Sequence, residues 1–240
     1  MGSTALLLLA DGRLPSGGHA HSGGVEAAVR DGRVHDLATL GSFLRGRLAT
    51  AGVVSAAFAA AAAHCVRKGT LLTPGVQQGA ADASVRAVPA SSPDIDSLDA
   101  ALDARTPSPA LRRASRAQGR ALLRAGRAMW PGLSPMESPH HAVALGVVAA
   151  AAGLSPHDAA LAAAHAAVSG PAAAAVRLLA LDPYPVQGLL AALAPECDRT
   201  AAVGATFADR DVDDLPACSA PLLDISAEAH ATWEVRLFAS

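Results

Sequence analysis

The sequence is poor in the residue types on which many folds and active sites depend. Of its 240 residues, aromatic residues make up 3% and charged residues 17%, and there are only three cysteines. So few aromatic and β-branched side chains argue against an all-β fold, because strands are enriched in those types. The cysteines Cys65, Cys197 and Cys218 are widely spaced and form no CxxC pair, which argues against a disulfide framework or a structural zinc site. We therefore expect a cytoplasmic protein.

Signals for membranes and nucleic acids are also missing. The formal net charge is −2, which gives no overall attraction to nucleic acid or to an anionic bilayer. The apolar run at residues 5–10 is short and lacks the basic segment of a signal peptide. The longest apolar stretches, residues 51–63 and 142–154, are mostly alanine and too short to span a bilayer. We expect buried helices there, and neither membrane nor nucleic-acid binding.

Alanine is the residue that the sequence has in abundance, with 60 of 240 residues inside an apolar fraction of 51%. Alanine has the highest helix propensity and is depleted in strands. The composition and the spacing of apolar residues predict an all-α, Ala-rich bundle of roughly eight to ten helices, with residues 1–240 as a single domain. Residues 70–93 are rich in Gly, Pro, Ser and Gln and predict a flexible insertion. Residues 224–240 form a C-terminal tail of weak helical character.

Local signals predict where several helices begin and end. Three polar residues are expected N-caps, because each precedes a segment with helical spacing of apolar residues: Ser22, Asp36 and Ser155. Proline and glycine are expected to break the helical pattern at two places: an interruption at Ser169–Pro171 and a turn at Pro183–Gly188.

The helix predicted over residues 110–129 carries the one clear charge pattern. Five arginines recur at intervals of three or four residues with no acidic residue between them: Arg113, Arg116, Arg120, Arg124 and Arg127. This arginine stripe lies along one face of a helix. Two interpretations remain open. The stripe is either a solvated face whose alkyl stems cover apolar neighbours, or a docking face for an acidic partner.

The usual catalytic and cofactor signatures are absent. The sequence has no Walker A motif, no GxGxxG after a strand, no HExxH and no GxSxG. Imidazole suits nickel, copper and zinc, yet no spacing in the sequence assembles three or four ligands. The sequence therefore offers no motif for catalysis or for a cofactor and no firm metal site, and His19 and His21 are the metal candidates. Otherwise the histidines cap helices or make hydrogen bonds in loops.

Four segments, in order along the chain, carry motifs that can be compared with a known family. Residues 14–26 read LPSGGHAHSGGVE, residues 115–124 read SRAQGRALLR, residues 140–154 read HHAVALGVVAAAAGL, and residues 230–240 read HATWEVRLFAS. Together they resemble the urease accessory protein UreF family, and the first motif resembles its actinobacterial form. Ala231 and Glu234 depart from the family pattern, in which Glu and Tyr are common at these positions.

The resemblance implies an all-α homodimer without catalytic activity. It implies binding to the accessory protein UreD, also called UreH, recruitment of the GTPase UreG, and delivery of nickel to the urease apoprotein. It further implies that the N-terminal region and the C-terminal tail are interface elements, and that the tail becomes ordered on partner binding. Residue by residue, the implied partner-binding positions are Ser16, His19, His21, Ser22, Glu26, His230, Arg236, Leu237 and Phe238.

Two alternatives remain open from the sequence. The first is a helical chaperone that holds nickel directly through His19 and His21, with His140 or His141 as further ligands. The second is an enzyme that uses a pocket within the bundle, although no motif in the sequence supports a reaction.

Overall fold

The computed structural model describes residues 3–70, 94–133 and 135–238. These residues form ten α-helical segments and no β-strand. The segments are α1 (Ser3–Ala10), α2 (Val25–Arg30), α3 (Leu37–Arg47), α4 (Val53–Cys65), α5 (Ile95–Ala104), α6 (Pro109–Met129), α7 (His141–Ala151), α8 (Pro156–Leu179), α9 (Pro183–Ala205) and α10 (Pro221–Ala231). The predicted insertion at residues 70–93 lies outside the described residues except for its first residue, as do the last two residues of the tail.

The segments α3 and α4 belong to one continuous helix. The π-helical turn Leu48–Gly52 joins them, and a second π-helical turn, Val66–Thr70, follows α4. Over the described ranges the chain therefore has nine helices, which confirms the predicted all-α fold. That the whole chain forms a single domain stays a prediction.

Two of the three predicted N-caps are confirmed. The Asp36 side chain accepts a hydrogen bond from the Thr39 amide at 2.8 Å, and Ser155 caps α8 in the same manner. The third is wrong, because α2 begins at Val25 and the residue before it is Gly24. With φ of 90°, Gly24 is in the left-handed region and sets the start of the helix by its backbone.

The predicted interruption at residues 169–171 is also wrong, since α8 continues through Pro171. A proline inside a helix has no N–H for the carbonyl four residues earlier. That carbonyl belongs to Ala167, and it accepts a hydrogen bond from Nε of Arg47 at 3.0 Å. A side chain from α3 thus satisfies the group that the proline leaves free.

A third local prediction fails at residues 183–188, where a turn was expected. The structure has α9 beginning at Pro183 and running without a break to Ala205. Proline is tolerated in the first helical turn, because the N–H groups there have no partner within the helix. The Asp182 side chain caps the same turn by accepting the Tyr184 amide at 2.9 Å.

The core is built around α4, which packs against α7, α8 and α9. Alanine and glycine have small side chains or none, so the axes of these helices approach each other closely. A Cβ at Gly146 would overlap the backbone of Ala59 on α4, and one at Gly204 would overlap Ala56. A second buried cluster joins α2, α3, α8 and α9. The apolar stretches at residues 51–63 and 142–154 are therefore buried helices, as predicted.

Two helices, Leu37–Gly69 and Pro156–Leu179, are long and apolar enough to cross a membrane by length and composition alone. Of the residues in the relevant windows, 67% and 61% are buried inside the protein. Core helices of folded domains have the same character, so these two helices are weak evidence for a membrane segment.

Candidate functional site

The first and the last sequence motifs meet at a single carboxylate. Glu26 on α2 is 7% exposed, and its Oε2 lies 2.7 Å from Nε2 of His230 on α10. The same side chain accepts the backbone N–H groups of Leu237 at 2.7 Å and of Phe238 at 3.1 Å. One buried group therefore binds both α10 and the C-terminal segment, which are more than 200 residues away in sequence.

The backbone before α2 explains how α10 comes so close. A side chain at Gly24 would overlap Leu223 of α10, so α10 packs directly on this glycine. The Oγ of Ser22 accepts the amides of Gly24 at 3.3 Å and of Glu26 at 3.4 Å. These contacts orient the first turn of α2 and place Glu26 opposite His230. Ser22 thus supports the site although it is not the N-cap of the helix.

Phe238 anchors the C-terminal segment to the rest of the protein. Its ring is buried, and the Arg177 guanidinium of α8 lies 4.7 Å from the ring centroid. Arg177 also donates a hydrogen bond to the carbonyl of His19 at 3.4 Å. The preceding residue, Leu237, is 73% exposed. Adjacent tail residues therefore have opposite roles, one packed inside and one presented to solvent.

Trp233 connects the tail to α2 on the other side. Its ring centroid lies 4.6 Å from that of His230 and 3.9 Å from the guanidinium of Arg30. An open cleft of about 640 Å³ lies beside it and extends to Val235, which is 85% exposed. This face of the protein combines exposed apolar side chains with a nearby cation.

The structure brings together four of the nine residues predicted to bind partners: Glu26, His230, Leu237 and Phe238. Ser16 and His19 lie in the N-terminal loop, and the His19 carbonyl accepts a hydrogen bond from Arg177, which contacts Phe238 of the tail. Arg236 is exposed and donates to the carbonyl of Ala231 at 3.2 Å. His21 is buried in a different cleft.

The two metal candidates differ in exposure. His19 is exposed in the loop, whereas burial of His21 lowers its pKa. Burial lowers the pKa of His141 to about 4, with the neighbouring His21 as a second cause. Within the described ranges, no group of three His, Cys, Asp or Glu side chains is arranged to hold a metal ion.

The arginine stripe has one half-buried member and four exposed ones. Arg116 pairs with Asp99 and Asp103 of α5 at 2.8 Å each. Arg120 contacts the hydroxyl of Ser138. Like Arg120, the remaining members are exposed: Arg113, Arg124 and Arg127. Arg116 therefore makes a structural contact. Whether the exposed arginines of the stripe dock a partner stays a prediction.

Sequence analysis did not identify a polar network that joins α5, α6 and α7. His140 is 1% exposed, with Nδ1 3.0 Å from Oγ of Ser115 and Nε2 3.0 Å from Oδ1 of Asp103. Burial alone would raise the pKa of Asp103, but hydrogen bonds from Arg116 and His140 outweigh it and the pKa is lowered. No sequence signal marks these contacts, because the partners come from three helices.

The order Ser115, His140, Asp103 matches the order of groups in a hydrolytic triad. Here, however, Oγ of Ser115 also accepts the backbone N–H of His141 at 3.0 Å, which caps the start of α7. Asp103 is shared with Arg116. The Ser115 hydroxyl is thus part of a helix cap and the Asp103 carboxylate part of an ion pair, so we interpret the arrangement as structural.

The fold and the site together define a class: all-α proteins in which the N-terminal and C-terminal motifs join at one buried carboxylate. A family model described as UreF matches residues 34–194. Three relatives, each named urease accessory protein UreF, are similar over nearly the whole chain. The protein of Mycolicibacterium vanbaalenii is 46% identical, and the alignment covers 98% of this chain and 97% of the relative. The protein of Mycobacterium sp. (strain JLS) is 45% identical, with 99% of this chain and 98% of the relative covered. The protein of Mycobacterium tuberculosis is 41% identical, with 98% of this chain and 97% of the relative covered.

The chain belongs to the UreF family of urease accessory proteins. This confirms the resemblance found in its four motifs and supports a role in urease maturation. The match to the family model ends at residue 194, before the tail, whereas the relatives align with almost the full chain.

Proposed function

We propose that the protein is a non-enzymatic scaffold of urease maturation. Together with UreD, also called UreH, it recruits the GTPase UreG for nickel insertion into the urease apoprotein. The observation that supports this most directly is the binding of the C-terminal segment to the Glu26 carboxylate. The partner names and the homodimer enter the proposal through the family, and the cytoplasmic location through the few, widely spaced cysteines.

The docked segment has the chemistry of a protein-binding surface. Phe238 holds it in place, while Val235 and Leu237 expose most of their apolar side chains and Arg236 lies between them. Exposed apolar side chains that lie together mark interaction sites, and arginine is enriched in binding hot spots. A segment already held in one conformation also loses less conformational entropy on binding than a free one.

The test is co-purification of the tagged full chain with UreD/UreH and UreG expressed in the same cells. Leu237→Ala removes an exposed side chain, so we expect unchanged thermal stability and reduced recovery of the partners. Tyr184→Ala is the matched control, because Tyr184 is 84% exposed on α9, outside the tail. Recovery of partners and urease activation at wild-type levels with Leu237→Ala would show that this surface is not the interface.

The alternative, a chaperone that binds nickel directly through His19 and His21, has no specific observation in its favour. One of these side chains is exposed and the other is buried. Titration calorimetry with nickel on the wild type and on the double variant His19→Ala/His21→Ala tests it. Tight binding that the double variant loses would favour the chaperone.

A further inference from the structure

The exposed members of the arginine stripe form a single line along α6, here called the outer row: Arg113, Arg120, Arg124 and Arg127. From the geometry of a helix, they lie within about 60° of one another around its axis and span about 21 Å along it. The helix has six arginines and no acidic residue, although the whole chain has a formal net charge of −2. The protein thus has a concentrated positive face although it is slightly acidic overall.

The fold neutralises Arg116 but not the outer row. Arg116 pairs with two aspartates of α5 at 2.8 Å each. By contrast, no ion pair in the described part of the chain involves Arg113, Arg120 or Arg124. Arg120 donates to the hydroxyl of Ser138, which carries no charge. Arginines of the same helix therefore differ, because the acidic partners are provided only on the side of α5.

The outer row is electrostatically unfavourable in the protein on its own. Arg120, Arg124 and Arg127 follow one another at intervals of four and three residues, and like charges at these intervals destabilise a helix. Glu228 of α10 attracts Arg113, but its Oε1 is already held by two hydrogen bonds from the start of α6. An ordinary exposed helix face carries charges of both signs at such intervals. The missing negative charges are what a partner would supply.

The chemistry of this face fits a protein better than a nucleic acid or a bilayer. Among the residues that the structure describes, none of the exposed large apolar side chains lies on α6, and its Leu122 and Leu123 are buried. Interfacial helices insert apolar side chains into the bilayer, and proteins that bind single strands stack bases on aromatic side chains. A single row of charges on a chain of net charge −2 also gives little attraction to a duplex. Carboxylates remain as partners, and arginine binds them through two parallel hydrogen bonds.

We propose that the outer row docks an acidic helix of a partner protein, which carries Asp or Glu at the same intervals of three and four residues. Two helices have the same rise per residue, so carboxylates with this spacing stay in register with the arginines along the row. Exposed charge pairs add more to the association rate and to specificity than to affinity. The inference goes beyond the proposed function, because it concerns α6 and no residue of the tail.

The first test uses the wild-type full chain and two fluorescent, alanine-based helical peptides of identical composition. In the first peptide, glutamates recur at intervals of three and four residues and form one row. In the second peptide, the same glutamates are spread around the helix. Fluorescence anisotropy measures binding at low ionic strength. We expect saturable binding of the first peptide, several-fold tighter than binding of the second, and a loss of affinity as salt is added.

Equal affinities of the two peptides would reduce the interaction to a non-specific attraction between charges and would overturn the proposal. The absence of saturable binding would overturn it as well. A DNA duplex and phosphatidylserine vesicles serve as competing probes, and both should bind more weakly than the first peptide. Tighter binding of either one would contradict the assignment of a protein partner.

The second test reverses one charge of the outer row. Arg124→Glu replaces an attraction by a repulsion, so we expect the dissociation constant of the first peptide to rise about three- to tenfold. The matched control is Arg199→Glu on α9, because Arg199 is also exposed and forms no ion pair within the described ranges. Equal weakening by the two variants would contradict the role of the row. If Arg124→Glu does not fold, the comparison of the two peptides on the wild type decides alone.

Discussion

The contact between Glu26 and the tail leads to a quantitative prediction for Glu26→Gln. The substitution keeps the size of the side chain but removes the charge that accepts two backbone amides and faces His230. A hydrogen bond to a charged group contributes about 1.5–3 kcal/mol. Since glutamine retains one acceptor oxygen, we expect the free energy of tail opening to fall by about 2–3 kcal/mol. This corresponds to an open population that is roughly 30- to 150-fold larger.

Trypsin measures this opening directly. Arg236 is exposed, and the bond after it includes the Leu237 amide that Glu26 holds at 2.7 Å. A protease needs this amide free, so the rate of cleavage follows the open population when opening is fast. Intact-mass analysis then reports the release of residues 237–240. We expect this release to accelerate in Glu26→Gln by the factor given above.

Glu234→Gln is the matched control. Glu234 lies in the same tail, is exposed, and makes no hydrogen bond or ion pair among the described residues. The same chemical change there should leave the cleavage rate unaltered. If Glu26→Gln were cleaved at the wild-type rate, or if both variants accelerated alike, the assigned role of Glu26 would be refuted.

Three further predictions concern stability and the arginine stripe. Gly146→Ala places a Cβ against the backbone of α4 and should lower the free energy of unfolding by about 2 kcal/mol in urea denaturation, whereas Gly46→Ala, in open space on α3, should raise it by about 0.5–1 kcal/mol. The pKa of His141 is lowered from 6.5 to about 4, so the unfolded chain binds more protons between these values. The free energy of unfolding should therefore fall as the pH drops from 6.5 to 4, by at most about 3 kcal/mol from this residue, and His141→Gln should flatten that part of the profile. Arg124→Gln should leave stability unchanged, lower partner recovery at low salt and make it less dependent on salt, because one screened attraction is lost; unchanged recovery would assign the stripe as a solvated face.

The sequence determined the helical character of this protein and some of its helix boundaries. Alanine-rich segments have a strong local preference for helix, because that preference lies in the backbone and a small side chain. Asp36 and Ser155 could be recognised as caps since each bonds to an amide three residues ahead. The two end motifs also pointed to the residues that form the site, although only the family resemblance indicated that the two ends act together.

Tertiary structure decided what local signals could not. Pro171 should break a helix, yet α8 continues because Arg47, 120 residues from Ala167, satisfies the carbonyl that the proline leaves free. Glu26 finds its partners in the last residues of the chain, and nothing near it in sequence marks them. Caps and propensities depend on neighbours a few residues away, whereas a buried charge is satisfied by whichever groups the packing of helices brings within about 3 Å.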